Sequence, residues 1–266
     1  MDVFRLISMD DSLLSEIWRQ SLTFPWLSAV ILNSFLLALA AIAPKKLLTA
    51  AGYGHAWGLG VIIWAALGWR GYLVVLAYFF VGSAVTRIGQ KEKEAAGIAE
   101  KRSGQRGPEN VWGSALIAAL CALAIAFGPE AGQPWLALGY VASFSTKLSD
   151  TTASEVGKAY GKSTFLITTL QPVPRGTEGA VSLEGTMAGF MAGLALAILG
   201  YGVGLISVGG IIFSTLAAFI ATNLESVIGA TLQNKWPWLT NEVVNGINTF
   251  LGAAIAIAMQ ATAQLI

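Results

Sequence analysis

Apolar runs about as long as a bilayer crossing recur along the chain, each closed by a charged or Gly/Pro-rich stretch. A spanning helix needs about 20 mainly apolar residues. On that measure helices fall near 23–43, 56–69, 71–88, 111–128, 135–157, 184–201, 204–222 and 242–264. The second is short and broken by glycine, so it reads as tilted or re-entrant. Backbone groups facing lipid must be satisfied within their own element, which excludes open sheets, and the short alternating segments of a β-barrel are absent. The fold class expected is therefore all-α: a polytopic membrane helix bundle of about eight crossings, seven to nine. Residues 1–22 are expected as an extracytoplasmic N-terminal segment and 23–266 as one transmembrane domain.

Composition supports that reading. The 266 residues are 55% hydrophobic and 12% charged, against about 25% charged for a soluble domain. A net charge of +1 implies no field for nucleic acid. Basic residues divide unequally between the two ends. The connections 44–55, 87–110, 158–183 and 223–241 fall on one side and hold twelve: Lys45, Lys46, Arg87, Lys91, Lys93, Lys101, Arg102, Arg106, Lys158, Lys162, Arg175 and Lys235. The other side holds Arg5, Arg19 and Arg70. The basic side is expected to be cytoplasmic, with both termini outside. The first twenty residues are acidic at the start and lack the basic opening of a signal peptide.

The residue inventory narrows the chemistry. Cys121 stands alone in an apolar run and His55 is the only histidine. No disulfide framework, thiolate metal site, or His-ligated hydrolytic metal can be assembled from them. Chemistry must rest on carboxylates, Lys/Arg and backbone amides.

Charged residues concentrate where the fifth span ends. Lys147, Asp150 and Glu155 lie within nine residues, and each costs at least about 2.5 kcal/mol inside a span, so they require partners or a wet cavity. At helical spacing Asp150, Ser154, Gly157 and Gly161 share a face with Lys147 beside them, whereas Glu155 lies well round the helix. Either this face builds a site, or Lys147 and Asp150 form a plain i,i+3 pair and the glycines serve helix packing. The loop that follows contains Arg175-Gly176-Thr177-Glu178-Gly179. Its glycines expose N–H groups that can line a phosphate nest, Arg175 can fork onto phosphate oxygens, Thr177 can donate, and Glu178 can hold magnesium.

Two other segments share that side. In 87–110, Lys91-Glu92-Lys93-Glu94 reads as a solvated helical face, whereas Gly104–Asn110 can present Arg106 and Asn110 to a phosphate at the start of the fourth helix. In 223–248, Glu225 and Glu242 accompany Asn241, Asn245 and Asn248, spaced i, i+4, i+7 on one helix stripe. Such a stripe either glues helices or lines a polar cavity. Trp236 and Trp238 read as interface anchors.

The pattern Asp150-x2-Ala153-x3-Gly157-x3-Gly161, followed by Arg175-Gly-Thr177-Glu178-Gly179, resembles the signature of membrane enzymes that use CTP: dolichol and phytol kinases and phosphatidate cytidylyltransferases. Over most of its length the chain is similar to the phytyl-phosphate kinase family of photosynthetic organisms. Thr86-Arg-Ile-Gly89, Gly97-Ile-Ala-Glu100, Arg106-Gly-Pro-Glu109-Asn110, Asn223-Leu-Glu225-Ser226 and Asn241-Glu242-Val-Val-Asn245 carry that likeness. Two departures stand out. Gly176 occupies the position of the family's basic residue, with the charge one step earlier at Arg175, and the His-Gly-Gly ending of the transferases is absent.

The resemblance implies a catalytic transmembrane domain in a cyanobacterial-type plasma or thylakoid membrane, with its site on the cytoplasmic face. There it would phosphorylate phytyl phosphate to phytyl diphosphate, a step of tocopherol biosynthesis, with CTP or another nucleoside triphosphate and Mg2+. It implies Asp150, Glu178, Arg175 and Lys147 as catalytic residues. Asp150, Glu178, Glu155 and Glu225 would bind metal, and Ser154, Gly157, Lys158, Gly161, Arg175, Gly176, Thr177 and Gly179 the nucleotide. Arg106, Asn110, Asn241 and Asn245 would hold the acceptor phosphate. The alternatives are a prenyl-alcohol kinase, a cytidylyltransferase releasing pyrophosphate, and a transporter.

Overall fold

The computed structural model describes residues 24–43, 46–100, 104–233 and 235–265. The expectations for residues 1–22, and the basic residues Arg5, Arg19, Lys45, Lys101 and Arg102, lie outside the described residues. The helices in order are α1 (Pro25–Ile42), α2 (Ala50–Val85), the short α3 (Gln90–Ala95), α4 (Pro108–Phe127), α5 (Gln133–Tyr160), α6 (Leu183–Gly202), α7 (Val208–Ile228) and α8 (Asn241–Leu265). A two-residue ladder, β1 (Phe165–Leu166) against β2 (Ala180–Val181), ties the connection between α5 and α6. Among the described residues six helices are long and apolar enough to cross a membrane. The protein is a polytopic helical membrane protein.

Local chemistry sets several boundaries. Proline occupies the first turn of α1, α4 and α5, where its missing N–H costs nothing. Thr49, Ser182 and Ser207 cap α2, α6 and α7, each side chain accepting from the N–H three residues on.

Helix α2 has 36 residues, about 54 Å if straight, far more than the roughly 30 Å hydrocarbon core. It folds back at Gly68, whose φ of 59° and ψ of −154° are non-helical. Two contacts show the reversal. A β-carbon at Gly52 would lie 2.5 Å from the carbonyl oxygen of Arg106, and one at Gly82 would lie 3.0 Å from the Arg106 guanidinium. In a straight helix residues 52 and 82 would be about 45 Å apart. The arms 50–67 and 69–85 are thus the second and third crossings read from the sequence. The second is a full arm, starting six residues earlier than expected, and is not re-entrant.

Helix α5 is the axis of the bundle. Every residue from Ala137 to Asp150 is buried, including Ser143, Ser145, Thr146 and Ser149, so its polarity faces protein and not lipid. At 28 residues it is about 42 Å long and reaches past the hydrocarbon core. Its closest partner is α6. A β-carbon at Gly185 would collide with the Ala153 carbonyl, one at Gly189 would stand 2.7 Å from the Ser149 oxygen, and one at Gly193 3.4 Å from the Ser145 oxygen. Glycines every fourth residue let α6 lie directly on the α5 backbone.

Candidate active site

The connections before α2, before α4, between α5 and α6 and before α8 all meet at one end of the bundle. Leu48 and Arg106 form a bridge, with Thr49 N–H donating to the Arg106 oxygen at 3.0 Å and Arg106 N–H to the Leu47 oxygen at 3.1 Å. Gly176 packs on Ile98, and Gly179 on the end of α7 at Ser226 and Ala230. Arg70 lies at the other end, beside Gly204. Between the gathered loops and the ends of α5, α7 and α8 is a cavity of about 470 Å³.

Asp150 and Lys147 form its inner wall. The Lys147 ammonium is 2.5 Å from Asp150 Oδ2 and donates to Asn245 Oδ1 at 2.8 Å, with both charged side chains 10% exposed or less. Glu225, at the end of α7, lines the same cavity and interacts electrostatically with Asp150, Lys147 and Glu178. So the i,i+3 pair weighed on the sequence exists, but it stands within a group of three carboxylates. Like charges this close repel, and a cation placed among them would relieve that repulsion.

Glu178 reaches the cavity through a strap of two successive turns. Thr177 N–H donates to the Pro174 oxygen and Ala180 N–H to the Thr177 oxygen, at 3.3 and 3.0 Å. Each turn has glycine in its third place, Gly176 at φ 83° and Gly179 at φ 76°, the conformation a type II turn demands there. This is why glycine recurs at a spacing of three, and it sets Glu178 at a corner. Gly176, Thr177, Glu178 and Gly179 all line the cavity. Arg175 does not. Its Nη1 donates to the carbonyls of Ala159 and Lys158 at 3.1 and 3.5 Å, capping the C-terminus of α5.

Of the remaining expected residues, Ser154, Gly157 and Lys158 line the cavity, whereas Gly161 packs against Ser182 outside it. Arg106 also lines it, its guanidinium held by the Tyr78 hydroxyl at 3.1 Å and resting on the rings of Tyr78 and Phe79. Among the described residues no carboxylate pairs with it. Tyr78 is a support the sequence reading missed, since nothing local marks a tyrosine 28 residues before the arginine it positions. Asn110 lines the cavity while its side chain accepts from Gly107 N–H and donates to Glu242. Asn241 also lines it, bonded to Gln233, and Asn245 is held on Lys147.

Glu155 also lines the cavity, but its carboxylate is taken up by lysines. It pairs with Lys93, with 1–2% exposure on either side chain, and Lys93 also donates to the Thr86 oxygen at 2.8 Å. Lys93 is therefore the exception to a solvated face: the carboxylate on α5 draws it inward. Lys158 lies 3.5 Å from Glu155 and 3.3 Å from Glu100, which pins the connection before α4 over the cavity. Burial pushes the Glu100 carboxyl up, and the charge and hydrogen bond of Lys158 more than reverse this, leaving it below the usual carboxylate range.

A family model, integral membrane protein DUF92, matches residues 33–253, from α1 into α8, so every residue of the cavity falls inside it. The chain belongs to the DUF92 family. Similar proteins include the uncharacterized membrane protein sll0875 of Synechocystis sp., 93% identical over 97% of this chain and 100% of that one. Protein VTE6, chloroplastic, of Arabidopsis thaliana is 46% identical over 91% of this chain and 74% of its own length. The uncharacterized membrane protein MJ0933 of Methanocaldococcus jannaschii is 33% identical over 77% and 82%. No solved structure matches. Membership of DUF92 accords with the likeness to phytyl-phosphate kinases read from the motifs.

The site of this DUF92 protein offers oxygen donors, two kinds of cation and a strap of turns. No ready-made cluster of three metal-ligating side chains exists among the described residues. Magnesium does not need one: it is commonly held by one or two carboxylates, with substrate phosphates and water completing the shell. Asp150 beside Glu225, where a cation would relieve the repulsion, fits that requirement.

Proposed function

We propose that this DUF92 protein is a membrane prenyl-phosphate kinase that passes the terminal phosphoryl group of a nucleoside triphosphate, CTP first, to phytyl phosphate, giving phytyl diphosphate. The observation that carries this reading is the meeting of Asp150, Glu178 and Glu225 with Lys147 and Arg106 around one polar cavity at the mouth of the bundle. Similarity to VTE6 and the likeness to phytyl-phosphate kinases point the same way.

The acceptor sets modest demands. A phosphate monoester is mostly dianionic at neutral pH, with a second pKa of about 6, so its oxygen attacks the terminal phosphorus without a general base. The bond from that phosphorus to the bridging oxygen breaks, and the nucleoside diphosphate leaves. Catalysis is then positioning and charge neutralisation. Arg106, held on Tyr78, and Lys147, held between Asp150 and Asn245, would bind and orient the acceptor phosphate. The N–H groups of the strap around Thr177, with Ser154 and Lys158, would bind the donor. Asp150 and Glu225 would hold Mg2+ directly, with Glu178 reaching it through water. When bound, the ion would offset the charge on the transferring group. Arg175 holds the strap against α5, a supporting part.

The described basic residues of the loops favour the cytoplasm for this end. Lys46, Arg87, Lys91, Lys93, Arg106, Lys158, Lys162, Arg175 and Lys235 belong to it, against Arg70 at the other. Purified protein given phytyl phosphate and each of four nucleotides in turn should make phytyl diphosphate and a nucleoside diphosphate. Turnover on phytol alone would favour the alcohol kinase, and release of pyrophosphate the cytidylyltransferase. Substrate flux with no nucleotide consumed would replace the kinase reading with a transporter.

A further inference from the structure

The cavity is lined mainly by charged and polar side chains, with Ile98, Val181 and Phe219 among its few apolar ones. A second recess, of about 450 Å³, runs along the seam between α4 and α8, walled by Trp112, Leu116, Ile117, Val243, Ile247 and Phe250. The two hollows share Glu242. At that point the helices touch through small contacts. Asn110 Nδ2 donates to Glu242 over 3.4 Å, and a β-carbon at Gly113 would stand 2.8 Å from the Glu242 carbonyl oxygen. Four residues beyond Glu242, Gly246 leaves open space, with no atom within 4 Å of where its β-carbon would be. A recess that merely held bilayer lipid would have no reason to end at the wall of an anion-binding cavity. An amphiphile with a phosphate at one end and a hydrocarbon chain at the other requires that continuity.

We infer that the α4–α8 seam is the binding groove for the prenyl chain of the acceptor. The chain lies along Trp112, Leu116 and Phe250 while its phosphate passes Asn110 and Glu242 to reach Arg106 and Lys147. The identity of the head group rests on the kinase reading; the groove does not depend on turnover. A prenyl monophosphate with a photoreactive group at its chain terminus should label residues 108–127 and 241–265. Unlabelled prenyl monophosphate should compete, and bilayer phospholipid should not. Gly246→Trp projects an indole into the recess from a position where a β-carbon meets nothing within 4 Å, and should abolish the labelling. It should also raise the KM for phytyl phosphate about tenfold, the scale of mismatch in an apolar pocket, with the nucleotide KM unchanged. Labelling on other helices, equal competition by phospholipid, or an unchanged phytyl phosphate KM in folded Gly246→Trp would overturn the groove. Labelling of the seam by a protein that transfers no phosphoryl group would uphold the groove and sink the kinase reading.

Discussion

Asp150 and Glu155 stand five residues apart on α5, both buried and both paired with a lysine, yet their surroundings differ in kind. Glu155 faces Lys93 across a sealed contact, and Lys93 is further satisfied by the Thr86 carbonyl. Lys158 adds a second cation at 3.5 Å, so the Glu155 carboxylate is fully paired although it too lines the cavity. Asp150 faces Lys147 in the wall of a cavity, with Glu225 interacting electrostatically with Asp150 and with Glu178. A buried ion pair is thus no sign of chemistry in itself. The sign is a gathering of like charges beside a space that a ligand can enter, because such an arrangement is costly without one.

Breaking each pair should separate the two roles. Lys93→Ala leaves the buried Glu155 carboxylate only its longer contact with Lys158 and should lower stability by about 3 kcal/mol, measured by thermal unfolding in detergent. Turnover per folded molecule should change little. Replacing both partners by apolar residues, Lys93→Met with Glu155→Leu, should recover most of the loss. Asp150→Asn keeps the shape and removes one of the like charges gathered in the cavity. It should therefore leave the unfolding temperature near that of the parent and lower kcat at least about a hundredfold, the scale of losing one preorganised electrostatic contact. A fully active Asp150→Asn protein would remove the metal assignment. An unstable one would make the two pairs alike, and the contrast between them would disappear.

The parts legible in the sequence were those governed by local rules. Apolar stretches of bilayer length have one solution in lipid, so the crossings and their order could be read, down to the break between the arms of α2 at Gly68. The partnership of Asp150 with the Glu178 strap was also legible, because glycines at fixed offsets are needed for turns that place a carboxylate. Contacts made across long separations were not. Lys93 sits in a run of alternating charge that looks solvated, and only Glu155, 62 residues later, explains its burial. The α6 glycines carry no local mark of the α5 backbone they lie against. Where the resemblance implied a nucleotide contact, Arg175, the orientation of one side chain decides the matter, and spacing carries no information about orientation.

Arg175 therefore offers the finest division of the comparison, between residues that hold a ligand and residues that hold the strap. Its guanidinium lies on the last carbonyls of α5, which have no partner within the helix and carry the negative end of its dipole. Arg175→Gln should lower stability by roughly 1 kcal/mol, as expected for a cation at a helix C-terminus. If the side chain acts only there, the nucleotide KM should stay within about twofold and kcat should fall modestly as the strap loosens. If it swings to the triphosphate during turnover, the nucleotide KM should rise about tenfold or more, the loss of a charge-assisted pair. Arg175→Lys sharpens the test. Lysine keeps a cation near the carbonyls and should restore stability, but it cannot reproduce a bidentate grip on phosphate. Recovery of stability and KM together would make Arg175 a cap. Recovery of stability with KM still raised would return it to the nucleotide site.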